Sequence, residues 1–386
     1  MLAFQSVIVV QGGRVRRNAV IHYGKYMSNI VFILGAGASQ QCGAPLMNNF
    51  LDMAKDLWNL NKVKDRHNHF NNVFKAIASL QAVHSKCQLD LNNIESIFTA
   101  FEIANILKKL PNYTPEEIPE LINSLKEVIV GTLEQTIEIP LHSNQVESPK
   151  PYGEFSNLVS YILDDAYPKR DISIITFNYD IALDLALYVQ DIKYHYALED
   201  ENSRIGIPLL KLHGSLNWAN CSKCSKVIPW HFKDYLSKYS FQNFSQKRTG
   251  KLLIGSHLVN GPEHCSSKVK PSPVLVPPSW NKADQHQALT NVWSKAAFEL
   301  ESAEYIFIIG YSLPETDAFF KLLFGLGTLG EMPLREIRIF NPDNSGLIKT
   351  RFEKMLGPGA LARFNYRELK FEEAISEIKD IFKNNV

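Results

Sequence analysis

Five short, mostly apolar runs rich in β-branched residues punctuate the chain, at 30–34, 172–176, 209–212, 305–309 and 337–340. Apolar residues fill these runs almost continuously, the pattern of strands covered on both faces by the helices that flank a parallel sheet. Helical stretches separate them. The expectation is an α/β fold with a Rossmann-like, doubly wound and mostly parallel sheet. From about 46 to 165 the period changes to that of a helix: Ile94, Ile97, Phe98 and Phe101 form one apolar stripe, and Leu121, Ile122, Leu125, Val128 and Ile129 another. Both stripes read as core rather than as ligand contacts. The segment is too long for a simple crossover, so it is expected to be a helical module inserted into the sheet domain, ending in a proline-rich polar loop over 140–151. A second interruption, about 219–272, has few apolar runs and carries Cys221, Cys224 and Cys265. It is expected to be a small cysteine-containing excursion.

The first 26 residues differ from the rest. An apolar patch at 7–10 precedes Arg14, Arg16 and Arg17, the reverse of the order in a secretory leader. They read either as an N-terminal extension or as the result of a start placed upstream of Met27, and 27–386 as the sheet domain with its two inserts. Lysine and arginine total 41 against 40 acidic residues, a net +1, so composition carries no electrostatic footprint of a direct nucleic-acid binder. The apolar runs are far shorter than the roughly 20 residues needed to span a bilayer. Five cysteines, an odd number without a regular framework, point to a reducing compartment, hence the cytoplasm.

Candidate chemistry gathers where the apolar runs stop. After the first comes Gly35-Ala36-Gly37-Ala38-Ser39, then Gly43 and a helical stretch. Such a loop can bring backbone N–H groups to a phosphate, or simply make a tight strand-to-helix turn. It matches neither G-x-G-x-x-G nor the G-K-[ST] of a nucleoside triphosphatase loop. After the second run stands Thr176-Phe177-Asn178-Tyr179-Asp180, where Asn178 and Asp180 either face a ligand or cap the next helix. After the third stands Lys211-Leu212-His213-Gly214-Ser215-Leu216-Asn217-Trp218, whose histidine is a candidate general base or a structural hydrogen-bonding residue. The fourth run leads into Gly310-Tyr311-Ser312-Leu313-Pro314-Glu315-Thr316-Asp317 and the fifth into Asn341-Pro342-Asp343, each readable as ligand contact or as turn. All five sit at carboxyl ends of buried strands, where a dinucleotide crosses a doubly wound sheet.

Taken in order, these motifs, with the Pro-Pro-Ser-Trp-Asn-Lys stretch at 277–282, resemble the sirtuin-like domain family, and within it the bacterial branch found in antiphage defence. The resemblance spans about 29–345, interrupted by the helical module. It implies that NAD is bound, with Gly35, Ala36, Gly37 and Ser39 along the pyrophosphate and neighbouring ribose. Asn178 and Asp180 match the asparagine and aspartate of the family's Q-N-I-D motif, and His213 its catalytic histidine. Gly310 and Ser312 match the residues that hold the adenosine end, and Asn341 an asparagine near adenine.

The chain also departs from the deacylating members, which follow the glycine loop with G-I-P-D-F-R. Here Gly43-Ala44-Pro45-Leu46-Met47-Asn48 places Leu46 and Asn48 at the acidic and arginine positions. The expected activity is therefore hydrolysis of NAD to nicotinamide and an ADP-ribose product, with Asn178 and His213 catalytic and NAD the substrate. NAD-dependent deacylation, ADP-ribosyl transfer and a non-catalytic NAD or ADP-ribose sensor are the alternatives. Cys221 and Cys224 resemble the first half of the zinc module of deacylating sirtuins, but a second C-x-x-C is missing, with His264-Cys265, His257 and His231 as other donors. A metal-free module is favoured over zinc. Cys42 and Cys87 read as buried or incidental. An NAD hydrolase must be gated, and the resemblance extends to the sirtuin-like subunit paired with a HerA-type ATPase, implying a homo-oligomer with such a partner and no direct contact to nucleic acid or membrane.

Overall fold

A computed structural model describes residues 28–81, 89–142, 145–164, 170–198, 205–239, 248–276, 289–314, 317–328 and 334–384. The 1–26 extension, Cys87, the 277–282 motif, Glu315 and Thr316 lie outside these residues.

Seven strands form one sheet: β1 (Ser28–Leu34), β2 (Arg170–Thr176), β3 (Tyr194–His195), β4 (Ile207–Lys211), β5 (Ala303–Ile309), β6 (Glu336–Phe340) and β7 (Phe364–Arg367). The spatial order is β7-β6-β5-β1-β2-β4-β3, and every pair is parallel. All five apolar runs are strands of this sheet. The two additional strands, β3 and β7, are short edges, and edges lack the two-sided burial that makes a strand visible as an apolar run. The chain starts in the middle at β1, builds β2 to β4 on one side and β5 to β7 on the other. The order thus reverses around β1, the position at which doubly wound sheets have a crevice at the carboxyl ends of their strands.

Helices cover both faces. On one, Phe32 of β1 meets Phe155 of helix Tyr152–Asp164 edge-on at 5.1 Å, and Phe307 of β5 meets Phe382 of helix Phe371–Asn384 at 5.9 Å. On the other, Ser173 of β2 donates to Glu299 of helix Thr290–Glu301 at 2.5 Å. Each fully buried ring contributes roughly 1.5–3 kcal/mol by leaving water.

The segment at 46–165 contains the helices Phe50–Asn59, His67–Gln81, Ile94–Leu107 and Ile118–Thr136. Ile94, Ile97, Phe98 and Phe101 are buried, as are Leu121, Leu125, Val128 and Ile129. Helix Tyr152–Asp164, although contiguous with this run in the sequence, lies on the sheet through Phe155 and serves as the crossover into β2. The stretch read as a loop over 140–151 contains the short strands Ile139–His142 and Gln145–Val146, and the first pairs with Thr249–Gly250 of the small module. Pro140 takes part through its carbonyl, which accepts from Glu147 N at 2.9 Å.

The cysteine-containing region is an antiparallel four-stranded sheet of Gly214–Cys221, Val227–Pro229, Glu263–His264 and Ser267–Leu275. No helix among the described residues is long and apolar enough to cross a membrane.

Candidate active site and metal centre

The loops after β1, β2, β4 and β5 converge at the crevice. Gly35 N donates to Ile309 O at 3.0 Å and Gly37 N to Gly310 O at 2.9 Å, so the first glycine loop is laced to the end of β5. The contact is too close for side chains. Gly310 has φ +63°, and a Cβ there would lie 2.4 Å from Ala38 N. The helix expected directly after the glycines is a 3-10 turn, Ala36–Cys42, closed by Gly43 at φ 97°, and the first α-helix begins only at Phe50. The left-handed Gly43 and the following Ala44-Pro45 interrupt the helical path. Here the glycines serve the approach of two backbones.

Ser39 and Asn178 form the centre of the site. The amide nitrogen of Asn178 donates to Gly35 O at 2.9 Å and to Ser39 Oγ at 2.9 Å. Tyr152 brings its hydroxyl to within 2.7 Å of Ser39 Oγ. Ser39 Oγ accepts from Asn178, and either hydroxyl of the Ser39–Tyr152 pair can donate to the other. Both hydrogens of the Asn178 amide are thus spent on the protein, leaving Oδ1 as the group that can accept from a water or a ribose hydroxyl. The backbone supports this pose: Asn178 N donates to Thr176 Oγ1 at 3.1 Å, and Thr176 Oγ1 donates to Leu34 O at 3.0 Å.

Asp180 is buried, and its Oδ1 accepts from Ala182 N at 3.0 Å at the start of helix Ala182–Val189. Burial raises its carboxyl above the usual range, opposed by Lys211 and the Ser39 hydroxyl. The residue holds the turn that carries Asn178.

His213 follows β4. Its main-chain oxygen accepts from Val276 N at 2.8 Å, and the preceding Leu212 O accepts from Trp293 Nε1 at 3.2 Å. Its ring meets the edge of Phe177 at 5.2 Å, and Phe177 stacks on Tyr311 at 4.4 Å. Tyr311 donates to Asp317 Oδ2 at 2.6 Å. Phe177 therefore joins the ends of β2, β4 and β5 in one aromatic cluster around the histidine. Asn178 and His213 are 9% and 5% exposed, so both stand at the crevice but behind its surface.

The adenosine-end candidates are less gathered. Gly310 packs on Gly37, as described; Ser312 is half-buried and its main-chain oxygen accepts from Arg351 Nη1 at 3.3 Å. Asn341 accepts at Oδ1 from Asp343 N at 3.1 Å, the geometry of a turn, and takes no part in the Asn178 network. Among the residues that sequence reasoning did not assign, Tyr152 completes the Ser39 cluster, and Asp184, Tyr196, Lys211 and Asn217 lie buried behind it. Lys211 had a signal: a lysine that ends an otherwise apolar strand.

At the far end of the ribbon made by Gly214–Cys221 and Ser267–Leu275, the donor atoms of Cys221, Cys224, His264 and Cys265 all lie within 4.8 Å of one another. His264 Nδ1 is 3.4 Å from Cys224 Sγ and 3.3 Å from Cys265 Sγ. A tetrahedral zinc ion with ordinary bond lengths sets S···N edges of about 3.5 Å, so three sulfurs and one nitrogen at these spacings suit it. The Cys221 thiol is lowered to about 6, first by the Cys224 backbone N–H, which favours the thiolate a metal needs. Cys265 and Ser266 have φ 52° and 53°, a two-residue hairpin turn usually given to Asn-Gly. That turn folds His264-Cys265 back onto Cys221 and Cys224, supplying the pair of donors that a missing second C-x-x-C had left open. His231 and His257 lie outside the cluster; His257 Nδ1 instead meets the Tyr235 hydroxyl at 3.0 Å. Cys42 is buried and donates to Ser39 O at 3.0 Å.

Compared as a sequence, the chain matches no family model and no curated protein. Among solved structures it is similar to Sir2 bound to an inhibitor, 2'-O-acetyl-ADP-ribose and a deacetylated peptide, at 12% identity and TM-score 0.38, covering 91% of this chain and 93% of that one. A mutant Sir2 homologue in complex with ADP-ribose matches at 15% identity and TM-score 0.38 over 92% of each chain. A Sir2 enzyme solved for mechanism and regulation matches at 14% identity and TM-score 0.40, over 93% of this chain and 94% of that one.

Proposed function

We propose that the protein hydrolyses NAD at the bond between nicotinamide and ribose, giving nicotinamide, ADP-ribose and a proton. The observation that carries this reading is the Asn178 amide, whose two hydrogens are committed to Gly35 O and Ser39 Oγ at the reversal point of the sheet, beside a histidine held by Phe177. Asn178 Oδ1 orients the attacking water or a hydroxyl of the nicotinamide ribose. His213 takes the proton, directly or through that ribose, as positive charge develops at the anomeric carbon and nicotinamide leaves. The loops after β1 and β5 hold the remainder of the dinucleotide. Leu46 and Asn48, in place of the acidic and arginine positions of the deacylating pattern, favour water over an acylated peptide as the acceptor.

The burial of Asn178 and His213 supports a gated enzyme whose crevice opens on a signal. We place it as an NAD-depleting effector of bacterial antiphage defence that acts in the cytoplasm as a homo-oligomer with a HerA-type ATPase. A zinc ion held by Cys221, Cys224, His264 and Cys265 has a structural place in this scheme, closing the ribbon that begins at His213.

The test is to incubate the purified protein with NAD, alone and with the ATPase, and to follow free nicotinamide and ADP-ribose. Release in a ratio of one to one is expected. NAD that binds and is never cleaved under either condition turns the reading to a sensor; O-acyl-ADP-ribose or a modified protein turns it to deacylation or transfer. Elution as a monomer that does not bind the ATPase refutes the assembly.

A further inference from the structure

Between the two strand ends that carry Asn178 and His213 lies a charged pair with no direct part in the proposed reaction. Lys211 is the last residue of β4, and its side chain is 1% exposed; that of Asp184 is 0% exposed. Lys211 Nζ donates to the main-chain oxygen of Asp180 at 2.5 Å and to Asp184 Oδ2 at 2.9 Å. Asp184 Oδ1 accepts from the Tyr196 hydroxyl at 2.6 Å, whose oxygen accepts from Asn217 Nδ2 at 3.0 Å. Asn217 also donates to Trp230 O at 3.1 Å and accepts from Ser215 Oγ at 2.7 Å. The chain of contacts starts in the turn that presents Asn178 and finishes in the strand that leaves His213.

Stability alone does not account for a lysine and an aspartate here, because a well-packed apolar pair of similar volume does as well or better in a protein interior. What an apolar pair cannot do is hold a main-chain carbonyl and two loops in one geometry. The ammonium reaches across β2 and β4 to the oxygen two residues beyond Asn178, and the carboxylate keeps that ammonium in place.

We propose that Lys211 and Asp184 are positioning residues that set the turn of Asn178 against the strand end of His213, so that water and base meet the nicotinamide ribose together. This rests on the NAD-cleaving reading. Their effect belongs in kcat: the substrate is held by other loops, and only the alignment of the reacting groups changes.

The test compares Lys211→Met, Asp184→Asn and the milder Tyr196→Phe, with kcat and KM for NAD measured on folded protein. Lys211→Met is expected to lower kcat about 100-fold, the scale of a misplacement near 1 Å, with KM changed less than about threefold. Tyr196→Phe, which keeps the ring and removes one link, is expected to lower kcat about fivefold and carries the test if Lys211→Met does not fold. In an Asn178→Ala background Lys211→Met should add no further loss, because it acts through Asn178. Losses that multiply, or a kcat equal to wild type in the folded variants, overturn the proposal. If the wild type releases no nicotinamide, the parent reading fails on its own, and crystal structures of the wild type and Asp184→Asn decide the positioning. Displacement of the Asn178 amide from Gly35 O is then expected; an unchanged 2.9 Å contact overturns it.

Discussion

The carboxyl rim of the parallel sheet and the tip of the cysteine ribbon both gather polar side chains from distant parts of the chain, and they satisfy them in opposite ways. At the rim, Ser39, Asn178, Asp180, Lys211 and Asp184 are buried and hydrogen-bonded to one another or to backbone. At the tip, Cys224 and Cys265 are exposed and His264 is half-buried, and the four donors converge on a common point. The rim is preorganised by the fold; the tip has a donor set whose spacing suits an ion. In a low-dielectric interior an unpaired polar group is expensive, so a site built at the end of buried strands must satisfy itself beforehand. In a cluster where only Cys221 is buried, the other donors have water as the alternative and can leave their closure to a metal.

If the rim is the site of chemistry, His213→Ala and Asn178→Ala should each reduce nicotinamide release about 1,000-fold, equivalent to about 4 kcal/mol of barrier, in protein that is still folded at the assay temperature. Retention of more than a tenth of the activity in either variant would break the assignment. Next in size, Gly310→Ala should destabilise the rim by about 3 kcal/mol, since its φ of +63° and the 2.4 Å approach to Ala38 N leave no room for a methyl group. Denaturant unfolding measures it, and a change under about 1 kcal/mol would show that the two loops are not locked together.

The tip should respond differently. The purified protein is expected to carry about one zinc per chain by elemental analysis, and Cys221→Ser should lose it and lower the melting temperature by about 5 °C. Zinc-free protein with an unaltered melting temperature would remove the metal from the account. The smallest effect is expected where the helical module meets the small module. There Glu134, buried at 3% exposure, accepts from Ser256 N at 2.8 Å with Arg66 Nη1 3.6 Å away. Burial raises its carboxyl above the ordinary value, outweighing Arg66 and Ser256. Its contribution to stability is therefore fully present below the unfolded carboxylate value and declines as pH rises through the folded one. Relative to wild type, Glu134→Gln should gain stability in denaturation curves taken from about pH 4 to pH 8. A gain in the opposite direction would mean that Arg66 governs this carboxyl.

Much of the rim was legible because burial on both faces leaves a local mark. The runs at 30–34, 172–176, 305–309 and 337–340 are strands, that at 209–212 is one up to Lys211, and the motifs after them stand at the carboxyl ends of the sheet. Asn178 and His213 were visible for the same reason, as polar residues directly after apolar runs. Tyr152, Asp184 and Tyr196 were not, since a tyrosine or a single aspartate inside an apolar helix such as Ala182–Val189 looks the same whether its polar atom meets a partner or water. The cysteine tip was half legible. Cys221 and Cys224 are close in sequence, whereas His264-Cys265 reaches them only through the antiparallel register of the ribbon and the left-handed turn at 265–266.

By itself, then, the amino-acid sequence determined which segments are buried strands, that they lie parallel under helices, and which glycines, asparagine and histidine stand at their ends. These follow from side-chain periodicity and backbone freedom, properties of neighbouring residues. Only the tertiary structure decided that Asn178 spends both amide hydrogens on Gly35 and Ser39, that Lys211 pairs with Asp184, and that three cysteines and a histidine meet at one point. Hydrogen bonds and metal geometry act over about 3 Å, and that proximity is set by the register between strands far apart in the chain.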